Sequence, residues 1–102
     1  LRNSKMADVV KELQEFGCEV YVHDPLAEPE QALYEYGIML IEWSKLPQNA
    51  DAIVAAVPHA EYINQTVANL LTPLKPGGVF IDIKSAYLPE TITSAGACLW
   101  RL

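Results

Sequence analysis

Two periods of hydrophobic and polar residues alternate along this chain. Met6, Val9, Val10, Leu13 and Phe16 recur at helical spacing, with Asn3 or Ser4 placed to cap the helix and Gly17 to end it. Glu19 to His23 (E-V-Y-V-H) then alternates with a period of two and is rich in β-branched and aromatic side chains, which predicts a strand closed by Asp24-Pro25. Pro29 suits a first helical turn, Glu30 complements the positive end of the helix dipole, and Gly37 supplies the stop, so a short helix is expected through Leu33 and Tyr34. Ile38 to Ile41 reads as a second short strand, and Leu46 to Asn49 as a polar, proline-containing connection.

Asp51 to Tyr62, D-A-I-V-A-A-V-P-H-A-E-Y, is the stretch around which the rest is arranged. Ile53 to Val57 is an unbroken apolar run, too short for a helix and too β-branched for a loop. It predicts a central strand of a parallel sheet, buried on both faces. Pro58 stops the run, which places His59 at the strand's carboxyl end, where open α/β sheets bind ligands. Ile63, Val67, Leu70 and Leu71 mark one face of a following helix that Pro73 terminates. Pro76-Gly77-Gly78 predicts a turn, and Val79 to Ile83 a mostly apolar strand ending at Lys84. After Pro89 the pattern weakens to one helical turn at Thr91 to Ala95 and a short edge strand at Leu99 to Leu102.

Strands alternating with helices at these spacings imply an α/β fold, Rossmann-like, with three α/β/α layers and a mainly parallel sheet. With no repeat, linker or low-complexity segment, residues 1–102 read as one domain. A helix that starts at residue 4 follows a strand in such folds, and none precedes it here. The first strand is therefore expected to be missing, its place filled by direct pairing of the Val20 and Ile53 strands or by a dimer contact.

Composition narrows the function. At 51% hydrophobic content, 102 residues suffice for one core, although a domain this small buries only roughly 60–65% of its unfolded surface. A formal net charge of −6, with no cluster of Lys or Arg, argues against nucleic acid or an anionic membrane as partner; an anionic ligand needs local cations. Cys18 and Cys98 show no C-x-x-C spacing and no paired histidines, so no metal site is expected and both read as reduced, core or near-core residues. No stretch approaches the roughly 18 apolar residues of a membrane span, and the amino end shows no signal pattern, so the expectation is a soluble, cytoplasmic protein.

The candidate chemistry is sparse. Asp24 ends the second predicted element about twenty residues after the first helix begins, where dinucleotide-binding folds use an acid to hold a ribose hydroxyl. However, no G-x-G-x-x-G is present, and Asp-Pro is a common way to leave a strand. His59 has the chemistry to bind phosphate or move a proton, but spacing offers no orienting carboxylate; His23 has no better claim. Lys84 is expected to project over the same edge as His59 and meet a diphosphate there. Arg2, at a helix start that disfavours cations, is placed for something outside the helix, and Arg101 is a third possible anion contact. There is no serine elbow, no carboxylate pair at a recognisable spacing and no activating context for either cysteine. No self-contained active site is expected.

The segments L-R-N-S-K, V-V-K-E-L-Q-E-F-G, V-H-D-P, Y-G-I, D-A-I-V-A-A-V-P-H-A-E-Y and G-V-F-I-D-I-K-S, in this order, resemble the carboxy-terminal UDP-binding domain of the UDP-glucose/GDP-mannose dehydrogenase family. The branch that makes UDP-N-acetyl-hexosaminuronic acids for surface polysaccharides looks most similar. The resemblance implies a piece of a larger, homo-oligomeric enzyme. An amino-terminal domain would bind NAD, a helical central region would dimerise, and this domain would help close over a UDP-sugar. The catalytic cysteine would lie in the other parts, and the parent would oxidise the sugar C6 alcohol to a carboxylate with two NAD in succession. By the same resemblance, Lys84 matches the family's cation in D-x-K or D-x-R that contacts the nucleotide sugar. Arg2 matches the arginine of D-x-R-x-S, which reaches towards the cofactor pocket. Two departures stand out: the family's Phe-Lys pair ahead of that segment is not present, and Pro58 occupies the x of A-V-x-H.

Two other readings compete. A receiver-like signalling module also carries a lysine after its last strong strand, but it needs an acidic cluster after the first strand and an aspartate ending the third. The cofactor domain of a 2-hydroxy-acid dehydrogenase is suggested by H-D-P after the second strand.

Overall fold

A computed structural model describes residues 4–101. The chain forms two compact units, Leu1–Leu46 and Pro47–Leu102.

The first unit opens with helix α1 (Ser4–Glu15). Ala7 and Val10, one turn apart, are its buried residues and pack with Ile38 into a small core that Val20, Val22, Tyr36 and Leu40 flank. Gly17, at φ +92°, ends the helix as expected. Phe16, in the predicted apolar stripe, is instead 84% exposed. Helix α2 (Pro29–Tyr36) starts on its proline and stops at Gly37, whose left-handed φ of 68° lets the Gly37 N–H reach the Leu33 carbonyl at 3.0 Å and the following Ile38 N–H the Ala32 carbonyl at 3.4 Å. The two strands expected at Glu19–His23 and Ile38–Ile41 shrink to one parallel bridge, Val22 to Leu40, with Ile41 N–H donating to Val22 O at 2.8 Å. A 3-10 turn at Trp43–Lys45 closes the unit.

The second unit is a parallel sheet of three strands, β1 (Ala50–Ala55), β2 (Leu74–Asp82) and β3 (Cys98–Arg101), in that order. Crossovers run through α3 (Ala60–Ile63) and α4 (Val67–Leu70), then through α5 (Pro89–Ser94). This is the expected Rossmann-like α/β class with a parallel sheet. The expectation that the Ile53 run is a central strand buried on both faces is corrected: among the described residues β1 is an edge strand, with Val54 40% and Val57 45% exposed. The centre belongs to β2, where Leu74, Gly78, Phe80 and Asp82 are buried. The single helix expected over Ile63 to Leu71 is two, because Thr66 starts a new one: its Oγ1 accepts from Asn69 N–H at 3.2 Å, and a side-chain cap of this kind favours initiation over continuation.

Pro76-Gly77-Gly78 is an irregularity within β2 and not a separate turn. Ala50 pairs with Leu74 but Ala52 with Val79, so β2 loops outward between them, with Gly77 at φ +74°. Lys75 spans the irregularity to Asp51 at 2.6 Å. The hydrogen bond from Lys75, then its charge, hold the Asp51 carboxyl below the ordinary carboxylate range. Both partners are largely exposed, so the pair adds little to stability. The cysteines also depart from expectation. Both are free and exposed, Cys18 just past the end of α1 and Cys98 at the start of edge strand β3. Among the described residues, no helix is long and apolar enough to cross a membrane.

Candidate functional site

All three strands of the second unit end on one rim. Ala55 is level with Asp82, and Asp82 with Arg101. In a parallel sheet this is the carboxyl edge, where the loops following the strands gather side chains around a ligand.

Beyond β1, His59 occupies the position before α3, with φ −60° and ψ 145°. Its N–H donates to Val57 O at 2.9 Å, and its carbonyl accepts from Tyr62 and Ile63. The imidazole lies 5.6 Å from the Tyr62 ring, tilted by 56°. His59 is thus a half-buried loop residue on the rim.

Beyond β2, the loop Ile83 to Leu88 is more tightly specified. Ile83 N–H donates to Ala55 O at 3.1 Å, which carries the β1–β2 ladder one residue past the strand. Asp82 is the buried polar or charged side chain of the described residues, with no exposure at all. Its Oδ1 accepts from Ala86 N–H and its Oδ2 from Tyr87 N–H, each at 3.0 Å. Ser85, between Asp82 and these two donors in sequence, holds a left-handed φ of 52°. The loop therefore folds back over its own strand end and leaves Lys84 exposed at the rim. Among the described residues, no carboxylate pairs with it.

Tyr87 is half-buried and meets Phe80 edge-on at 5.4 Å. Burial, and after it the neighbouring Asp82 charge, push its phenol above the ordinary value of 10.0. A raised folded value means that the neutral phenol is the form the fold favours. That contribution to stability is complete below pH about 10 and disappears as pH rises through the higher folded value. In an alkaline titration followed by phenolate absorbance, Tyr87 should therefore ionise late, above the ordinary phenol value of 10.0, and Tyr87→Phe should remove this late phase. A late phase that survives in Tyr87→Phe would contradict the burial argument.

The structure brings Lys84, Arg101 and His59 to one rim. Arg101 is exposed at the end of β3. Arg2 lies outside the described residues. Asp24 and His23 belong to the first unit and do other work. The Asp24 carboxylate accepts from Leu26 N–H at 2.9 Å and Ala27 N–H at 3.2 Å, a turn-forming role, while His23 packs edge-on against Trp43 at 5.3 Å. Asp82 is the residue that reading the sequence missed. A signal was there, since positions 78, 80 and 82 share one face of β2, and alternation alone carries a carboxylate into the core. Among the described residues, no group of three or more His, Cys, Asp or Glu is placed to hold a metal ion. A groove of about 400 Å³ in this unit, lined by residues such as Leu71, Leu74, Lys75, Pro76 and Ala97, lies at the amino ends of β2 and β3, at the opposite end of the sheet from Lys84 and Arg101, and is mainly apolar. We take the rim as the site because Lys75 in the groove is paired with Asp51, whereas Lys84 at the rim has no carboxylate partner among the described residues.

Residues 1–89 match the UDP-glucose/GDP-mannose dehydrogenase family, UDP binding domain. The chain belongs to this family. The match includes Asp82 and Lys84 and ends before Arg101, and it sets aside the receiver-like and 2-hydroxy-acid dehydrogenase readings. Within the family, the chain is 37% identical over 86 residues to UDP-N-acetyl-D-glucosamine 6-dehydrogenase of Pseudomonas aeruginosa, covering 82% of this chain and 20% of that protein. It is 31% identical to Protein CapL of Staphylococcus aureus over 102 residues, which is 100% of this chain and 23% of CapL. A third relative, UDP-N-acetyl-D-glucosamine 6-dehydrogenase of Salmonella typhi, is 39% identical over 62 residues, 61% of this chain and 14% of that protein. The chain thus spans about a fifth of the length of the first two curated relatives.

Proposed function

We propose that this chain is the nucleotide-sugar-binding domain of an NAD-dependent UDP-sugar 6-dehydrogenase, a cytoplasmic enzyme that oxidises a sugar C6 alcohol to a carboxylate for surface polysaccharide biosynthesis. One observation carries the reading: the carboxyl rim of the sheet presents an exposed Lys84 without a carboxylate partner among the described residues, and Arg101 ends the adjacent strand on the same rim. On a chain of net charge −6, a diphosphate is held only where local cations outweigh the general repulsion. A compact ammonium and a forked guanidinium are the two groups best suited to neighbouring phosphates.

The domain's share in the reaction is positioning and charge neutralisation. The strand-to-helix turns of the second unit, Ala56 to His59 and Ile83 to Leu88, contain no glycine. They lack the close backbone approach that a dinucleotide pyrophosphate requires, so the described residues do not fit NAD and no hydride step is assigned to them. NAD is assigned to the amino-terminal domain of the parent, with a central domain and a second subunit completing the enzyme. Arg2 is assigned to the cofactor side on its sequence segment alone.

The test is calorimetric titration of the intact polypeptide with UDP and with uridine. UDP should bind at least about tenfold more tightly, the equivalent of one hydrogen bond to a charged group, and lose affinity as salt rises. Arg101→Ala should narrow the gap between the two ligands. Equal affinity for UDP and uridine would remove the diphosphate from the reading.

A further inference from the structure

We propose that Asp82 is the positioning residue of the nucleotide-sugar site, the group whose buried carboxylate holds the Ile83–Tyr87 loop so that Lys84 stands ready at the rim. The inference rests on the reading of Lys84 as a diphosphate contact. It adds a residue that touches no ligand.

A carboxylate without solvent is costly unless hydrogen bonds compensate it. Asp82 is compensated by two backbone donors from one loop, Ala86 and Tyr87, one on each oxygen and both at 3.0 Å. Charge-assisted bonds of this kind are stronger than neutral ones. Two convergent N–H groups need two acceptors on one short side chain, which aspartate supplies and asparagine does not. An asparagine would turn its amide N–H₂ towards one of the two backbone donors and leave that donor unpaired in the core. Glutamate, one methylene longer, would overfill a site that has no exposure.

The backbone inside this clamp is strained in the same direction. Ser85 holds φ +52°, a left-handed conformation that a serine adopts only when its surroundings impose it. Lys84 lies inside the clamp, between Asp82 and Ser85 in sequence, and Ile83 N–H, anchored on Ala55 O at 3.1 Å, fixes the near side of the loop. Tyr87 closes the far side, its ring edge-on to Phe80 in the central strand. A long lysine on such a loop loses only side-chain freedom on binding, because the backbone entropy has already been spent in folding.

The experiment is a double-mutant cycle on UDP affinity in the intact polypeptide, measured by calorimetry well below the unfolding midpoint, with Asp82→Asn, Lys84→Ala and the double variant. Asp82→Asn should weaken UDP by about tenfold in the presence of Lys84 and by less than about twofold in its absence. A merely structural carboxylate would give the same loss in both backgrounds, whatever it did to the melting temperature. An Asp82→Asn variant that melts earlier but binds UDP normally overturns the proposal while Lys84→Ala still binds weakly. If Lys84→Ala binds UDP normally, the underlying reading of the site fails first, and the proposal falls with it. Should Asp82→Asn not fold, amide hydrogen exchange of the unaltered protein decides: saturating UDP should slow exchange at Ala86 and Tyr87 by about tenfold, and unchanged rates there overturn the proposal.

Discussion

Replacing Phe80 with Ala should remove about 3–5 kcal/mol of folding stability, the range for a fully enclosed aromatic cut back to a methyl. Phe80 has no exposed surface, and it sits in the middle strand between Ile53 on one side and Leu99 on the other. Strands on both sides prevent the sheet from closing on the void, so the cavity term is retained along with the lost transfer energy. Small domains have only about 5–15 kcal/mol in total, so a large part of the population should unfold at moderate denaturant. Urea unfolding of the two proteins would show it as a lower midpoint with little change in slope. Phe16→Ala is the control. At 84% exposure it should stay within about 0.5 kcal/mol of the parent, although the helical pattern places Phe16 in the same class of apolar residue. Comparable losses for the two phenylalanines would mean that Phe80 is not enclosed as described.

That contrast marks what a one-dimensional pattern carries. Punctuation was readable because it is local. Gly17 ends α1, and Pro29 and Gly37 bracket α2, each through a backbone preference that needs no distant partner. Strand rank was not readable. Ile53 to Val57 and Val79 to Ile83 are similar apolar runs, yet one forms an edge and the other the centre, because rank depends on which strands pair. The Glu19–His23 and Ile38–Ile41 alternations are real but meet in a single bridge, since period alone does not supply the neighbours a ladder requires. Thr66 broke a helix that its apolar spacing favoured, through a hydroxyl cap that competes with continuation.

The candidate site divides along the same line. Lys84 was legible from its place after a strand, because a parallel sheet sends every strand end to one rim. Asp82 was legible only as an oddity, a carboxylate in register with Gly78 and Phe80. The sequence around it names no partner for either oxygen, and the two amides that bind it lie four and five residues later in an irregular loop. Short-range hydrogen bonds of irregular backbone have no period, so reading for periods passes over them.

Lys84→Ala should weaken UDP-sugar binding by about 1.5–3 kcal/mol, the worth of a hydrogen bond to a charged group, or roughly ten- to more than a hundredfold in affinity. The melting temperature should hardly move, because Lys84 is exposed and, among the described residues, pairs with no carboxylate. A fall in affinity without a fall in stability is what separates a ligand contact from a fold contact, and the Phe80 variant should show the reverse order of effects. Lys84→Arg should retain most of the affinity, since charge and reach are kept while hydrogen-bond geometry changes. Lys84→Met, with a similar stem and no charge, should behave like Lys84→Ala. Calorimetry across a salt series adds a second axis: the difference between the parent and Lys84→Met should shrink as ionic strength rises, because screening acts on the charge and not on the stem. If Lys84→Met binds as the parent does at every salt concentration, the ammonium makes no contact with the diphosphate. The cations at this rim would then need another explanation.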